Sequence, residues 1–282
     1  MNDIDSPQNQ LSAAALYSVD FVRQLIDGKK LVALTGAGIS TDSGIPDYRG
    51  AGRTPKHPMT FENFVGSHTA QVRYWARSFV GWSRIATAQP NAGHLALAAA
   101  EDMGAVAAVI TQNVDGLHQL AGSKSVVDLH GRLDRVICLS CGLILSRAQV
   151  DTMLQELNPS VVKDLSFEFT PDGDAEIEAA DGFQIPKCPN CKGVLKPDVV
   201  FFGESVPPER VEKSFVLVEQ ADVLLVAGTS LAVNSGMRFV RAVAKAGKPV
   251  VIVNLGPTKA DDLAAAKIEA NTSLVLERLF ND

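Results

Sequence analysis

Five short runs along the chain are almost wholly apolar: Leu31–Leu34, Val106–Thr111, Val126–Leu129, Val223–Ala227 and Val250–Asn254. None alternates apolar with polar residues, so the pattern predicts parallel strands buried on both faces. Between them, apolar positions recur at helical spacing. Ala15, Val19, Val22 and Ile26 form one stripe closed by Gly28, and Leu95, Leu97 and Ala98 lie in another closed by Gly104. A third stripe opens at Pro208 and runs through Val211, Phe215 and Val218. Strand and helix alternating at this interval predict an α/β fold with a doubly wound, mostly parallel, Rossmann-like sheet.

Two stretches break the alternation. Residues 51–103 carry Phe61, Phe64, Trp75, Phe79 and Trp82 without a strand pattern and read as a helical excursion. Residues 136–195 hold all four cysteines, several prolines and a run of acids. The expected organisation is a large domain from 1–50, 104–135 and 196–282, with a small domain made of 51–103 and 136–195. The acidic insertion spans 151–187 and contains nine acids and two bases, a net of −7, so the remainder of a chain of net charge −6 stands at +1. That balance argues against nucleic acid as a partner. Within the insertion, Asp172–Glu178 resembles a calcium loop, but Ile177 occupies the position that needs Gly, which leaves a solvated acidic loop. No apolar run approaches the ~18 residues of a membrane helix, and the opening MNDIDSPQNQ has no targeting pattern. A cytoplasmic monomer with no membrane partner is expected.

The cysteines form two knuckles, Cys138-x2-Cys141 and Cys188-x2-Cys191, separated by 46 residues. Four soft thiolates in this arrangement suit one tetrahedral zinc ion with no open position, hence a structural site. A Gly follows closely on each second ligand, where the chain must turn tightly. A disulfide or redox pair is the other reading, disfavoured in a reducing compartment.

The ends of the strands carry the chemistry. After the first comes Thr35-Gly36-Ala37-Gly38-Ile39-Ser40, in which Gly36 and Gly38 let backbone approach a pyrophosphate. Thr41 stands where a dehydrogenase fingerprint has its third Gly, and no acid closes a second strand about 20 residues on, so an ordinary dehydrogenase is disfavoured. Gly228-Thr229-Ser230 and Asn254-Leu255-Gly256 follow later strands in the same way. Thr111-Gln112-Asn113-Val114-Asp115-Gly116-Leu117-His118 and Leu129-His130-Gly131 end two more strands in hydrogen-bonding groups. Buried strands finish so when they face a ligand, and a His at such an edge suits a general base.

These motifs together resemble the sirtuin family: Gly36–Ser40 running on to Gly44–Gly50, Gln112–Asp115, His130-Gly131, the paired knuckles, Lys196–Glu204 and Gly228–Leu231. They cover residues 20–275, and Tyr74–Arg77, Phe79–Trp82 and Asn254–Thr258 resemble the class II branch. The resemblance implies an NAD-dependent protein lysine deacylase with one structural zinc. It implies cofactor contacts from Gly36, Ala37, Gly38 and Ser40, from Ile45, Pro46, Asp47, Tyr48 and Arg49, and from Gln112, Asn113 and Asp115. Gly228, Thr229 and Ser230 would serve the phosphates, with Asn254, Leu255, Gly256 and Thr272 toward the adenosine. Acyl-lysine peptide would pair as a strand between Val200-Phe201-Phe202-Gly203-Glu204 and Leu231-Ala232-Val233. The acyl oxygen would attack the ribose carbon that nicotinamide leaves, with Asn113 and Asp115 supporting the chemistry. His130 would then take a proton through the ribose hydroxyls, giving free lysine and acylated ADP-ribose. Tyr74-x-x-Arg77 has the spacing with which another branch binds acidic acyl groups, and the favoured reading is an Arg on a solvent-facing helix side. Protein mono-ADP-ribosyl transfer and a non-catalytic NAD or ADP-ribose sensor are the alternative readings.

Overall fold

The computed structural model describes residues 11–48, 59–161 and 182–281. Arg49 and Asp172–Glu178 lie outside the described residues. The chain opens with α1 (Ala13–Ile26) and β1 (Leu31–Thr35), followed by α2 (Phe61–Gly66), α3 (His68–Thr87) and α4 (Ala92–Asp102). Next come β2 (Val106–Thr111), the single turn α5 (Leu117–Leu120) and β3 (Val126–Asp128). β4 (Gly131–Cys138), β5 (Ile144–Ser146), α6 (Arg147–Leu157) and β6 (Leu195–Val199) belong to a second sheet. α7 (Pro208–Gln220), β7 (Val223–Ala227), α8 (Asn234–Lys245), β8 (Val250–Val253), β9 (Ala266–Ile268) and α9 (Thr272–Phe280) complete the first.

The large sheet has the order β3-β2-β1-β7-β8-β9, with every neighbouring pair parallel. From β1 the chain steps outward to β3 on one side, and from β7 to β9 on the other. The order therefore reverses between β1 and β7, the crevice in which such sheets bind ligands.

Successive residues of each strand feed opposite layers. Leu31, Ala33, Leu225, Val251 and Val253 pack with Val19, Val22, Ala96, Leu97 and Val275 of α1, α4 and α9. Val32, Leu34, Leu224, Val226, Val250 and Ile252 pack with Val218, Phe239, Val240 and Val243 of α7 and α8. An unbroken apolar run is what a strand covered on both faces requires, and the five expected strands are all present. The edge strand β9 was not foreseen, because Ala266-Lys267-Ile268 is too short and too polar to stand out. Leu95 was expected on the buried stripe of its helix but is half exposed. The inward face of α4 is Ala96, Leu97 and Ala100, one to five residues further along the turn.

The small sheet is antiparallel, in the order β5-β4-β6. Its core joins Phe64, Tyr74, Trp75 and Phe79 of α2 and α3 to Leu133, Val136, Cys138, Cys188 and Leu195. The aromatic stretch and the cysteine stretch thus share one apolar cluster. Among the described residues no helix is long and apolar enough to cross a membrane.

Candidate active site

At the reversal point two glycine loops cross in contact. Gly38 N–H donates to Gly228 O at 2.8 Å, and Gly36 N–H donates to Ala227 O at 3.2 Å. A Cβ on Gly38 would lie 2.8 Å from Gly228 O, and one on Gly228, whose φ is +65°, would lie 2.3 Å from Ile39 N. Neither position admits a side chain, so the carboxyl edge presents bare backbone where β1 and β7 end. A pyrophosphate needs such a surface.

Beside the crossing, the ends of β1 and β2 build one connected polar cluster. Asn113 Nδ2 donates to Gly36 O at 3.1 Å and to Ser40 Oγ at 3.0 Å. Ser40 Oγ donates to Asp115 Oδ2 at 2.7 Å, and Leu117 N–H donates to Asp115 Oδ1 at 2.9 Å. Gln112 Nε2 donates to Thr229 Oγ1 at 3.0 Å, tying β2 to the β7 loop. Burial pushes the Asp115 carboxyl above the usual carboxylate range in spite of the Leu117 and Ser40 hydrogen bonds. Two fully buried histidines lie beneath: His118, which closes the polar run after β2, and His94, which the sequence reading did not single out. His94 Nε2 is 3.4 Å from Ser40 Oγ, His118 Nε2 is 2.9 Å from Thr35 Oγ1, and their rings meet edge to face at 4.8 Å. Burial lowers His94 to about 4 and His118 well below its ordinary value, so both are neutral at pH 7. The local signal for His94 was Asn91-x-x-His94, a capping pair that starts α4.

His130 stands where the chain leaves the large sheet for the small one. Gly131 follows it with φ +83° and with Asp198 O only 1.9 Å from where a Cβ would be, so no other residue fits this corner. Val200 N–H donates to His130 O at 2.8 Å, which closes the corner from the β6 side. His130 Nδ1 is 2.9 Å from Gln112 O and Nε2 is 2.8 Å from Ser235 Oγ. A carbonyl only accepts, so Nδ1 carries the proton and Nε2 is the basic atom. Burial lowers the His130 pKa, opposed by the Gln112 carbonyl and reinforced by Arg210 and Arg238.

Ile45 is buried among Tyr74, Leu117 and Phe201, and the Tyr48 ring meets Phe202 edge-on at 6.2 Å. Asn254 caps its own turn, donating from Nδ2 to Leu255 O and Gly256 O at 3.2 and 3.1 Å. Thr272 is buried at the start of α9. On the substrate side, Phe61 N–H already donates to Phe202 O at 2.9 Å. The Glu204 carboxylate accepts from Phe201 N–H at 2.8 Å and pairs with buried Lys196 at 3.1 Å. Leu231, with φ +53°, turns its side chain into the core. The Leu231 side chain is thus withdrawn from the surface, while the Glu204 carboxylate is held against Lys196. Tyr74 is buried against Phe64, Trp75 and Phe201.

The four cysteine Sγ atoms lie within 4.8 Å of one another, with Cys138 and Cys191 at 3.5 Å and Cys141 and Cys188 at 3.7 Å. Zinc bound to sulfur at ~2.3 Å in a tetrahedron needs sulfurs ~3.8 Å apart, so the set fits a structural zinc. The Cys141 thiol is lowered to about 6 by the Leu143 N–H and Asn190. The knuckles match residue for residue: Gly142 N–H donates to Cys138 O at 3.0 Å and Lys192 N–H to Cys188 O at 2.9 Å. The left-handed residue of the second knuckle is Lys192 (φ +63°), not the Gly expected there. Gly193 is needed for another reason, since its Cβ would lie 2.4 Å from Ser140 Oγ.

A crevice of this kind, with two glycine loops crossing at a topological switch point and a four-cysteine module beside it, places the molecule among the zinc-bearing α/β nucleotide-binding proteins. More narrowly, the chain belongs to the Sir2 family, whose profile matches residues 36–235. A relative named NAD-dependent protein deacetylase from Xanthomonas campestris pv. campestris (strain 8004) is 51% identical over 253 residues, covering 88% of this chain and 86% of its own. NAD-dependent protein deacetylase 1 of Mycobacterium avium (strain 104) is 48% identical over 262 residues, covering 92% and 93%. A solved structure described as "Sir2-p53 peptide-NAD+" superposes with a TM-score of 0.75 at 32% identity, covering 93% of this chain and 96% of that one. Another, "Sir2 bound to acetylated peptide", gives 0.74 at 30% identity with the same coverage.

Proposed function

We propose that this chain is an NAD-dependent protein lysine deacylase, releasing nicotinamide and 2′-O-acyl-ADP-ribose. The observation that carries the reading is His130, whose Nδ1–H is committed to the Gln112 carbonyl, leaving Nε2 as a base beside the glycine crossing. The names of the relatives and the NAD- and peptide-bound neighbours support the same activity.

NAD supplies a ribosyl–nicotinamide bond whose cleavage makes an electrophilic carbon. The N–H groups of Gly36, Gly38 and Gly228 already donate to Ala227, Gly228 and Val253 O, so these glycines would clear the space for the pyrophosphate while Ala37 and Ser230 contact it. Gln112 and Asn113 would orient the ribose, and Asp115 would accept from a carboxamide N–H. The acyl oxygen of the substrate acts as nucleophile, so the protein must hold that oxygen in line and remove a proton at His130 Nε2. The peptide would lie between Val200–Glu204 and Leu231–Val233. Membership of the class II branch, a cytoplasmic setting and a monomeric state complete the proposal.

The test is nicotinamide release and product mass with NAD and acetyl, glutaryl, octanoyl and lipoyl lysine peptides. Acyl-ADP-ribose is the expected product, and His130→Ala should reduce it by about 10²–10⁴-fold. ADP-ribose left on protein would point instead to a transferase, and NAD binding without turnover to a sensor.

A further inference from the structure

His130 Nε2, the atom that must accept the proton, already has a partner. Ser235 Oγ lies 2.8 Å away, and because Nδ1 carries the hydrogen the hydroxyl is the donor. Ser235 is the second residue of α8, where a serine ordinarily bonds its own helix end. Here the N-cap is Val233 and the helix start has no side-chain cap bond, so the hydroxyl is not consumed locally. The same turn is pressed against the segment that holds the other side of the imidazole. A Cβ on Gly236 would lie 2.8 Å from Gln112 Oε1, so the glycine lets α8 approach until Ser235 meets His130. Gln112 is in turn tied to the β7 loop through Thr229 Oγ1 at 3.0 Å. The imidazole is thereby gripped at both nitrogens by two elements, the end of β2 and the start of α8, which belong to opposite halves of the large sheet.

Building on the deacylase reading, we propose that Ser235 is a positioning residue for the reaction. Its hydroxyl holds His130 in one rotamer and one tautomer until a ribose hydroxyl replaces it at Nε2. It acts through the base and touches neither the acyl group nor nicotinamide. No bond to Ser235 forms or breaks beyond this exchange of hydrogen-bond partners.

The two halves of the reaction separate this role from a structural one. Cleavage of the nicotinamide bond, read as exchange of labelled nicotinamide into NAD in the presence of acetyl-lysine peptide, precedes the need for the base. Formation of acyl-ADP-ribose requires it. Ser235→Ala should slow acyl-ADP-ribose formation about tenfold, the worth of one hydrogen bond, while exchange keeps its rate. Ser235→Thr should restore it. Exchange and product formation falling together, with a lowered unfolding midpoint, would make Ser235 a structural residue and overturn the proposal, as would an alanine variant with unchanged product formation. Failure of the deacylase reading is distinguishable, because then the unaltered protein itself yields neither exchange nor acyl-ADP-ribose.

Discussion

The carboxyl edge of the large sheet and the zinc module both bury polar groups, and they do so by opposite means. At the sheet edge the buried histidines His94 and His118 are neutral, and the Asp115 carboxyl beside them is raised above its ordinary pKa. Their hydrogen bonds run to Thr35 and Ser40, at and just beyond the end of β1. In the module the charges remain but are matched internally. The Arg147 side chain is only 1% exposed; it pairs with Asp151 at 3.0 Å, donates to Ser78 O at 3.1 Å, and lies over the rings of Trp75 and Trp82 at 5.5 and 5.2 Å. Lys196 pairs with Glu204 and sits over Phe201 at 4.8 Å, and four thiolates face one cation. The edge holds polar capacity in reserve for a substrate, while the module uses its own up in holding itself together.

That contrast breaks first at the metal. Cys188→Ser, or prolonged chelation, should remove a binding free energy of about 10–16 kcal/mol, enough to unfold the module. The chain's two tryptophans, Trp75 and Trp82, both lie in that module. Their emission should shift to the red as bound zinc is lost, whereas the helical signal of the large domain persists. Native emission in a metal-free protein would show that the apolar cluster alone suffices. Arg147→Ala comes next, at about 3–5 kcal/mol in urea unfolding, because a buried ion pair is broken and the face of two indoles is uncovered. Arg147→Met should recover part of this by packing, and a loss below about 1 kcal/mol would mean that the pair is solvated.

Acid tests the sheet edge more gently. His94 falls from 6.5 unfolded to about 4 folded, so the unfolded chain binds more protons between these values. Stability is therefore full above pH 6.5 and declines on acidification until about pH 4, by about 3 kcal/mol for this residue. His118 acts in the same direction, whereas the raised pKa of Asp115 acts against it. Urea midpoints between these pH values should fall with acid, and His94→Gln should flatten the slope. An unchanged slope would show that the pair at 4.8 Å does not stay neutral.

What could be read from the chain alone was whatever is local or periodic. Unbroken apolar runs gave the five main strands, because a doubly covered strand has no polar face to alternate. Paired Cys-x2-Cys gave the metal set, since two ligands per knuckle are fixed by a single turn. Glycines and polar groups just after strands gave the crevice, because in a parallel sheet those ends lie on one edge. The tertiary structure decided what depends on partners far apart in sequence. β9 gains its place only by pairing with β8. Ser235 meets His130 across 105 residues, and no spacing announces such a contact. It exists because the order of strands reverses between β1 and β7, which brings the end of β2 and the start of α8 to the same side of one crevice.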